Sequence, residues 1–362
     1  MAPMSEVAII LSDLYLAANG TGGVDDRDSA VPKDALPALA RIARFAGVSP
    51  LPGDWRAWLA GWLGRGDLAA ACDATPAVIA AATLTAADSL PADTGSVWLA
   101  TPLHLIAGLS TVHLDYRGLL KLDGATLQAL CRDFAAEFAE GGFSLRPLPS
   151  GGLIACGPRF AQLPLTRDPA RLLGGGIAGS TTQGPGAAPL LRLGAELEMW
   201  LHAHPLNAAR ARRREPPLTT LWLWGGGEPL KAGRVSPPLP LVHPEATFMT
   251  VFGADPVVEG LCVLSGARLR PPAASAHDIL NSGAARTAVV IELFRTDKSQ
   301  PATLMDLLEH LDERVLAPVV TALKDGVIRQ LTLIANDRCS VLTARDGLRF
   351  WRRSRGPWAV LQ

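Results

Sequence analysis

The 362-residue chain has little of what marks several functional classes. Neither sign of charge dominates: 34 basic and 34 acidic residues give a formal net charge of zero. No global field draws the chain to nucleic acid or to an anionic membrane, and either partner would need a local patch. Cysteines are few and dispersed: Cys72, Cys131, Cys156, Cys262 and Cys339 include no CxxC pair. An odd, scattered set reads as buried, reduced thiols in a cytoplasmic protein. The opening run MAPMSEVAIILSD lacks a basic flank, and its apolar part is far too short for a signal or a membrane span. No internal repeat, coiled coil or low-complexity domain is present. The chain does have 35 glycines, 29 prolines, many alanines and 48% apolar residues, a GC-rich bacterial coding bias rather than disorder. Its length suffices for one large or two medium domains with a sizeable core.

The most informative stretch is Glu196–Pro229, ELEMWLHAHPLNAARARRREPPLTTLWLWGGGEP. It begins with a helix-periodic segment carrying Leu197, Trp200 and Leu201. A turn, His204-Pro205-Leu206-Asn207, leads into a basic segment with Arg210, Arg212, Arg213 and Arg214. Thr219–Trp224 reads as a buried strand by length and by β-branched and aromatic content, broken by Gly225-Gly226-Gly227. A strand ending in three glycines beside guanidinium groups suits a phosphate or carboxylate. The same pattern also fits a buried strand, a flexible exit loop and a solvated basic face. On this reading Asn207, Arg210, Gly225, Gly226 and Gly227 are anion-binding or structural.

The order of His-Pro-Leu-Asn, arginine, two prolines and Leu-Trp-Leu-Trp-Gly-Gly-Gly resembles a segment of archaeal-type, cofactor-independent phosphoglycerate mutases, where an HPVN turn, an arginine and a WLWG strand follow at similar spacing. It is more similar still to their bacterial relatives, the RpfE-type regulatory proteins. The resemblance covers nearly the whole chain and is strongest at 200–227 and 304–353. It implies an α/β fold: an alkaline-phosphatase-like, mostly parallel sheet flanked by helices (1–97 and 161–362) with an inserted α+β subdomain (98–160).

The rest of the chain agrees with that outline. Val7–Leu11 is a short apolar run typical of a parallel strand buried on both faces, and ligands of open α/β sheets bind beyond such carboxyl ends, here at Ser12-Asp13. After the polar loop Ala17–Asp34, Leu36–Arg44 is an amphipathic helix similar to the family's TPNLDRLA. Asp54–Leu63 reads as a capped helix with Trp55, Trp58 and Trp62 in the core, and Leu68–Ala87 as helical. Ser96–Ala100 and Thr111–Leu114 read as strands. The intervening Thr101–Leu105 reads as a connection, because Pro102 cannot donate to a central ladder; this WLATPLHL run resembles the RpfE-type pattern. Leu127, Leu130, Phe134 and Phe138 mark a helix. A hairpin over 144–156 follows, and the glycine-rich Leu173–Pro189 is the expected hinge or lid. Thr247–Phe252, Thr287–Phe294 and Leu331–Ala335 read as strands, and Val257–Leu264 as helix or strand. Leu304–Leu323 is a long helix whose Leu311-Asp312-Glu313-Arg314-Val315 resembles the family's IDRRV. Residues through Phe350–Arg353 read as an edge strand and tail.

Enzymes of the resembled family use two divalent metals and a serine nucleophile. The resemblance places Asp13 at the first metal aspartate, although a cap or turn aspartate reads equally well. It places Asp297 after a later strand, with Pro301 where a histidine is wanted. After the last strand Asp337 is kept, but Arg338 replaces the histidine, and Arg345 replaces another beyond it. Arginine stays protonated and cannot ligate a metal. No serine matches the nucleophile, and none of His104, His113, His202, His204, His243, His277 and His310 falls at a ligand position. His277-Asp278 reads better as a satisfied loop pair than as a dyad. Arg338 and Arg345 are expected either to leave a metal-free anion pocket or to bond Asp13, Asp297 and Asp337. The expectation is a catalytically degenerate, regulatory or scaffolding protein without catalytic residues, metal or cofactor. No membrane or nucleic acid is indicated, and the protein partner and oligomeric state are open. A metal-dependent phosphomutase or phosphatase with rearranged ligands is the alternative.

Overall fold

The computed structural model describes residues 5–16, 35–84, 90–91, 93–179, 182–230, 249–295, 303–348 and 357–361. Two sheets are built from strands taken in chain order. β1 (Ser5–Leu11) and β2 (Gly47–Pro50) belong to the main sheet. β3 (Ser96–Ala107), β4 (Val112–Leu119), β5 (Ser144–Pro147), β6 (Leu153–Gly157), β7 (Gly175–Gly176) and β8 (Thr220–Gly227) form the second. β9 (Met249–Phe252), β10 (Arg268–Arg270), β11 (Arg286–Ile291), β12 (Ile328–Ala335) and β13 (Arg338–Thr343) return to the main sheet, whose order is β10-β9-β11-β1-β12-β13-β2. Its pairings are parallel from β10 through β12 and antiparallel at β13 and β2, so the fold is mixed α/β with a mostly parallel main sheet.

The apolar run of β1 is buried on both faces as expected. Val7, Ile9 and Leu11 join one core, with helices Pro37–Phe45 and Leu304–Leu311, whereas Ala8 and Ile10 join another. That second core also takes Val97, Leu99, Ile154 and Trp224 from one face of the second sheet, so the sheets share it. The opposite face carries Trp98, Leu153, Leu221 and Leu223, and is covered by helices Gly124–Phe138 and Ala187–Ala203. Among the described residues no helix is long and apolar enough to cross a membrane.

Several readings change. β3 runs unbroken through Pro102, because the pairing changes there. One flank of β3 follows β8, and the other follows β6 as far as Leu99 and then β4 from Leu103. The Pro102 carbonyl accepts from Leu120 N–H on that second flank, so the missing N–H falls where one neighbour gives way to the next. The second sheet also does not stop at residue 160. β7 pairs with β4 and β8 with β3, which brings segment 161–227 into it. Within the expected hinge, Leu173 is buried, β7 forms, and Leu165 bridges Gln183. Leu68–Ala87 divides at Thr75-Pro76 into helices Ala69–Ala74 and Pro76–Ala80. Residues 256–265 are helical, capped at the start by Asp255 and ended by left-handed Gly266. The loop Ala17–Asp34, His243, Asp297 and Phe350–Arg353 lie outside the described residues.

The long C-terminal helix is interrupted by a π turn, Asp312–Leu316, ahead of Pro318 in helix Ala317–Lys324. Asp312, the first residue of that turn, faces the start of helix Pro37–Phe45, whose own N-cap, Leu36, has no capping side chain. Asp312 accepts from Ala38 N–H at 3.0 Å and Leu39 N–H at 2.7 Å, serving as a cap from across the core. Burial pushes its carboxyl up, while those two bonds oppose the rise. Asp312→Asn keeps one acceptor and turns an NH₂ towards the other amide. It is expected to lower stability by about 1–3 kcal/mol, read as a reduced urea midpoint at unchanged slope. Glu313→Gln, at the exposed neighbour, should match the parent.

Candidate functional site

The site is built at the carboxyl ends of the main-sheet strands. β11 ends at Ile291 rather than at Phe294, because the next residues turn to grip Asp13. Leu293 N–H donates to Asp13 Oδ1 at 2.8 Å and Phe294 N–H to Oδ2 at 2.7 Å. Two successive amides thus cradle one carboxylate. Asp13 is only 3% exposed, and burial raises its pKa from 3.8 to about 6 against the pull of those bonds. In the same turn Arg295 bonds Glu292 at 3.0 Å.

Beside this cradle lies a buried arginine. Arg56, 5% exposed, is on the first turn of helix Trp55–Trp62, under the capping carboxylate of Asp54. Its Nη1 donates to Asp168 Oδ2 at 2.8 Å and reaches Asp54 at 3.4 Å, and its Nη2 donates to Asp255 Oδ2 at 2.9 Å. The guanidinium also lies over the rings of Trp55 and Trp224, 4.3 and 5.2 Å from their centroids. Burial works against its charge, but Asp255, Asp168 and Asp54 more than offset that and hold its pKa well above the usual arginine value. Arg171 extends the network with a two-pronged bond to Asp337, 2.7 Å in each arm, a 3.2 Å contact to Asp54, and a face over the Tyr15 ring.

These groups border a cavity of about 80 Å³ between the two sheets, walled by Ser12, Asp13, Arg56, Ser150, Asp168, Trp224, Asp255, Glu292 and Arg295 among others. That volume holds a few waters at most. Arg56 Nε, Arg295 Nε and Ser150 Oγ are buried there without a protein partner. Carboxylates balance or outnumber the cationic groups around the cavity, so it is polar rather than electropositive.

Of the described positions expected to carry a metal-site remnant (Asp13, Asp337, Arg338 and Arg345), only Asp13 lies at this cavity. Asp337 sits in the β12–β13 turn at a left-handed φ of 58° and pairs with Arg171, not with Arg338. Arg338 is the exposed first residue of β13, and Arg345 is exposed in the turn Ala344–Leu348. The expected bonding of these two arginines to Asp13 and Asp337 is therefore replaced by backbone amides and by Arg171. Among the described residues, no group of three or more His, Cys, Asp or Glu side chains is arranged to hold a metal. His104 and His204 bond backbone groups, and His277 lies in helix Ala276–Leu280.

Of the Glu196–Pro229 stretch, Trp224 reaches the cavity, whereas the expected anion-binding or structural residues lie elsewhere. Asn207 Nδ2 donates to Leu201 O at 2.7 Å and Leu218 O at 2.9 Å, while its Oδ1 accepts from Leu218 N–H at 2.8 Å. Arg210, 6% exposed, donates from Nε to Pro216 O at 2.6 Å and pairs with Glu215 at 3.2 Å. Both brace the entry to β8. The three glycines are not a loop but the last residues of β8, at its opposite end. Gly225 N–H donates to Thr166 Oγ1 at 3.0 Å. A Cβ on Gly226 would strike the Trp98 ring, and one on Gly227 would strike Val78 and Thr75. The glycines thus lie roughly 17–23 Å along the strand from its start, the end that Arg210 braces.

Sequence reasoning missed the Arg56 network. Asp168-Pro169 and Asp255-Pro256 do carry a signal, an aspartate cap followed by proline at the first helical position, and both aspartates cap that way. The pattern places each at a helix start but does not reveal that both face one arginine.

Two outcomes are expected. Arg56→Met leaves Asp168 and Asp255 buried without their cation and should cost about 3–5 kcal/mol, seen in the urea midpoint; a variant as stable as the parent would show the network to be energetically idle. Separately, folded Asp13 binds its proton more tightly than the unfolded chain does. Its ionisation therefore destabilises the fold increasingly as pH rises from about 3.8 to about 6, by about 3 kcal/mol in all. Parent stability should fall relative to Asp13→Asn across that window and run parallel above it; curves parallel throughout would place the folded pKa in the ordinary range.

No protein-family model matches the chain, and no curated protein matches it. Solved structures similar to it include the following two. A cofactor-independent phosphoglycerate mutase from Thermoplasma acidophilum is 15% identical, with 93% of this chain and 89% of that one covered and a TM-score of 0.38. The PH0037 protein from Pyrococcus horikoshii is 12% identical, with 95% and 88% covered and a TM-score of 0.47. Likeness at this level assigns this chain neither an activity nor a residue role.

Proposed function

We propose that the protein is a catalytically degenerate relative of the phosphoglycerate-mutase-like folds, of the RpfE type, with a regulatory or scaffolding role. The observation that carries this reading is the place of Arg56. It fills the space between the carboxylates of Asp168 and Asp255, which cap two separate helical segments, with a fixed cation. A two-metal site asks for several free carboxylates and neutral imidazoles at neighbouring strand ends. Here the donor set does not fit that group. Asp13 is committed to two amides, Asp255 and Asp168 to Arg56, and Asp337 to Arg171. Among the described residues, no histidine lines the cavity. An attacking serine would also need an adjacent base. The Ser12 hydroxyl, next to Asp13 in the chain, donates instead to the Ile291 carbonyl at 3.2 Å.

The experiment is turnover with metal supplied. Purified protein incubated with manganese or zinc is expected to interconvert no 2- and 3-phosphoglycerate and to hydrolyse no aryl phosphate. Elemental analysis after desalting should find no stoichiometric transition metal. Turnover that is lost in Asp13→Ala, or two metals retained per chain as such a site requires, would restore the metal-dependent phosphomutase or phosphatase.

A further inference from the structure

The segment Asp168-Pro169-Ala170-Arg171 has a role that the reading above does not use. It is one 3₁₀ turn, capped by Asp168 itself through Ala170 N–H at 2.9 Å. Both flanks are fixed to the second sheet. Before it, Thr166 Oγ1 accepts from Gly225 N–H and the Arg167 carbonyl accepts from Trp222 Nε1 at 2.8 Å; after it, Gly174 N–H donates to the Leu114 carbonyl. Its charged side chains point the other way, to helix Trp55–Trp62 with its Asp54 cap and to the β12–β13 turn of the main sheet. Three ion pairs join the second-sheet segment to those elements, and all three end on Asp168 or Arg171. Asp168 and Ala170 form part of the cavity wall.

We infer that Asp168–Arg171 is an ionic strap that closes the cavity between the sheets and is released from its Arg171 end. The two ends differ in their water. At the Asp168 end both partners are dry, with side-chain exposures of 6% for Arg56 and 9% for Asp168. Parting them would strand two buried charges. At the other end Arg171 is 32% and Asp337 45% exposed. Water and salt screen that pair, so it opens at far lower cost. Tyr15 under the Arg171 guanidinium and the second arm to Asp54 give the closed position a single seat. A four-residue turn hinged at fixed flanks is the scale on which local opening occurs below the global stability. The strap governs entry to the cavity whether or not the cleft turns over a substrate, so a positive turnover result would leave it standing.

Ser150→Cys supplies a reporter. Ser150 lines the cavity, and its hydroxyl is buried without a partner, so the exchange breaks no bond. The variant is treated under native conditions with methyl methanethiosulfonate, and each cysteine is followed separately by peptide mass spectrometry. In the strapped protein the reporter should react slowly. Adding Arg171→Gln should speed it by about tenfold or more, as expected for losing a partly buried two-pronged ion pair. The buried core thiols Cys72 and Cys262 should stay as protected as before. Asp337→Asn should also speed the reporter, and the double variant should react no faster than Arg171→Gln alone, since both remove one interaction. An unchanged reporter rate, additive effects, or core cysteines that become reactive together with the reporter would each overturn the strap.

Discussion

A guanidinium buried between two sheets constrains much of this structure. Arg56 cannot shed its proton, so the fold must bring carboxylates to it, and it does so from three separate parts of the chain: Asp54, Asp168 and Asp255. Each carboxylate has a second task, as cap of the helix or turn that it begins. The starts of those elements are therefore fixed relative to one another by one cation. This is a specific joint laid over a non-specific one, because the sheets already share an apolar core that includes Ile10, Leu99, Trp224 and Val257.

The joint also decides what the cleft can do. The carboxyl edge of a parallel sheet leaves strand-end loops free to present groups to a ligand. Here those loops present groups to each other. Asp13 receives two amides from the turn after β11, and that turn carries its own Glu292–Arg295 pair. Among the described residues, the buried side-chain groups left without a partner at the cavity are two donors, Arg56 Nε and Arg295 Nε, and the Ser150 hydroxyl, which can donate or accept. Donors in a chamber of about 80 Å³ bind water readily, and a substrate only after the walls move.

How much of this was legible in the sequence depends on how local each cause is. The double burial of β1 follows from five consecutive apolar residues, and the caps at Asp54 and Asp255 from an aspartate before a helix; both were readable or nearly so. The sequence leaves Asn207 open between anion-binding and structural; its partners, Leu201 and Leu218, lie within eleven residues but at the entry to β8 rather than at its glycine end. Pro102 misled because the rule against proline in a central strand assumes one neighbour on each flank, and β3 changes neighbours at that residue. The turn that ends β11 reads as strand because Leu293 and Phe294 are apolar, and only Asp13, 280 residues away in the chain, explains why their amides leave the ladder. Asp312 belongs with these, since it caps a helix more than 270 residues distant. Charge partners and distant caps are pairings, and one sequence shows their members without showing the pairs.

The three glycines of β8 make the point most sharply. A glycine run after a strand suggests a loop whose bare amides receive an anion, and nearby arginines strengthen the suggestion. Yet glycine reports only that a Cβ does not fit; it does not say what occupies the space. At Gly226 the occupant is the Trp98 ring, and at Gly227 it is Val78 and Thr75. The arginines lie one strand length away, one folded back on a carbonyl. A ligand cradle and a close contact between core elements impose the same demand on the residue. They differ in where the amide goes, and at Gly225 it goes to Thr166, the residue from which the chain runs on to Asp168 and the Arg56 network. The segment that looked most like a binding loop is thus one of the anchors of the joint between the sheets.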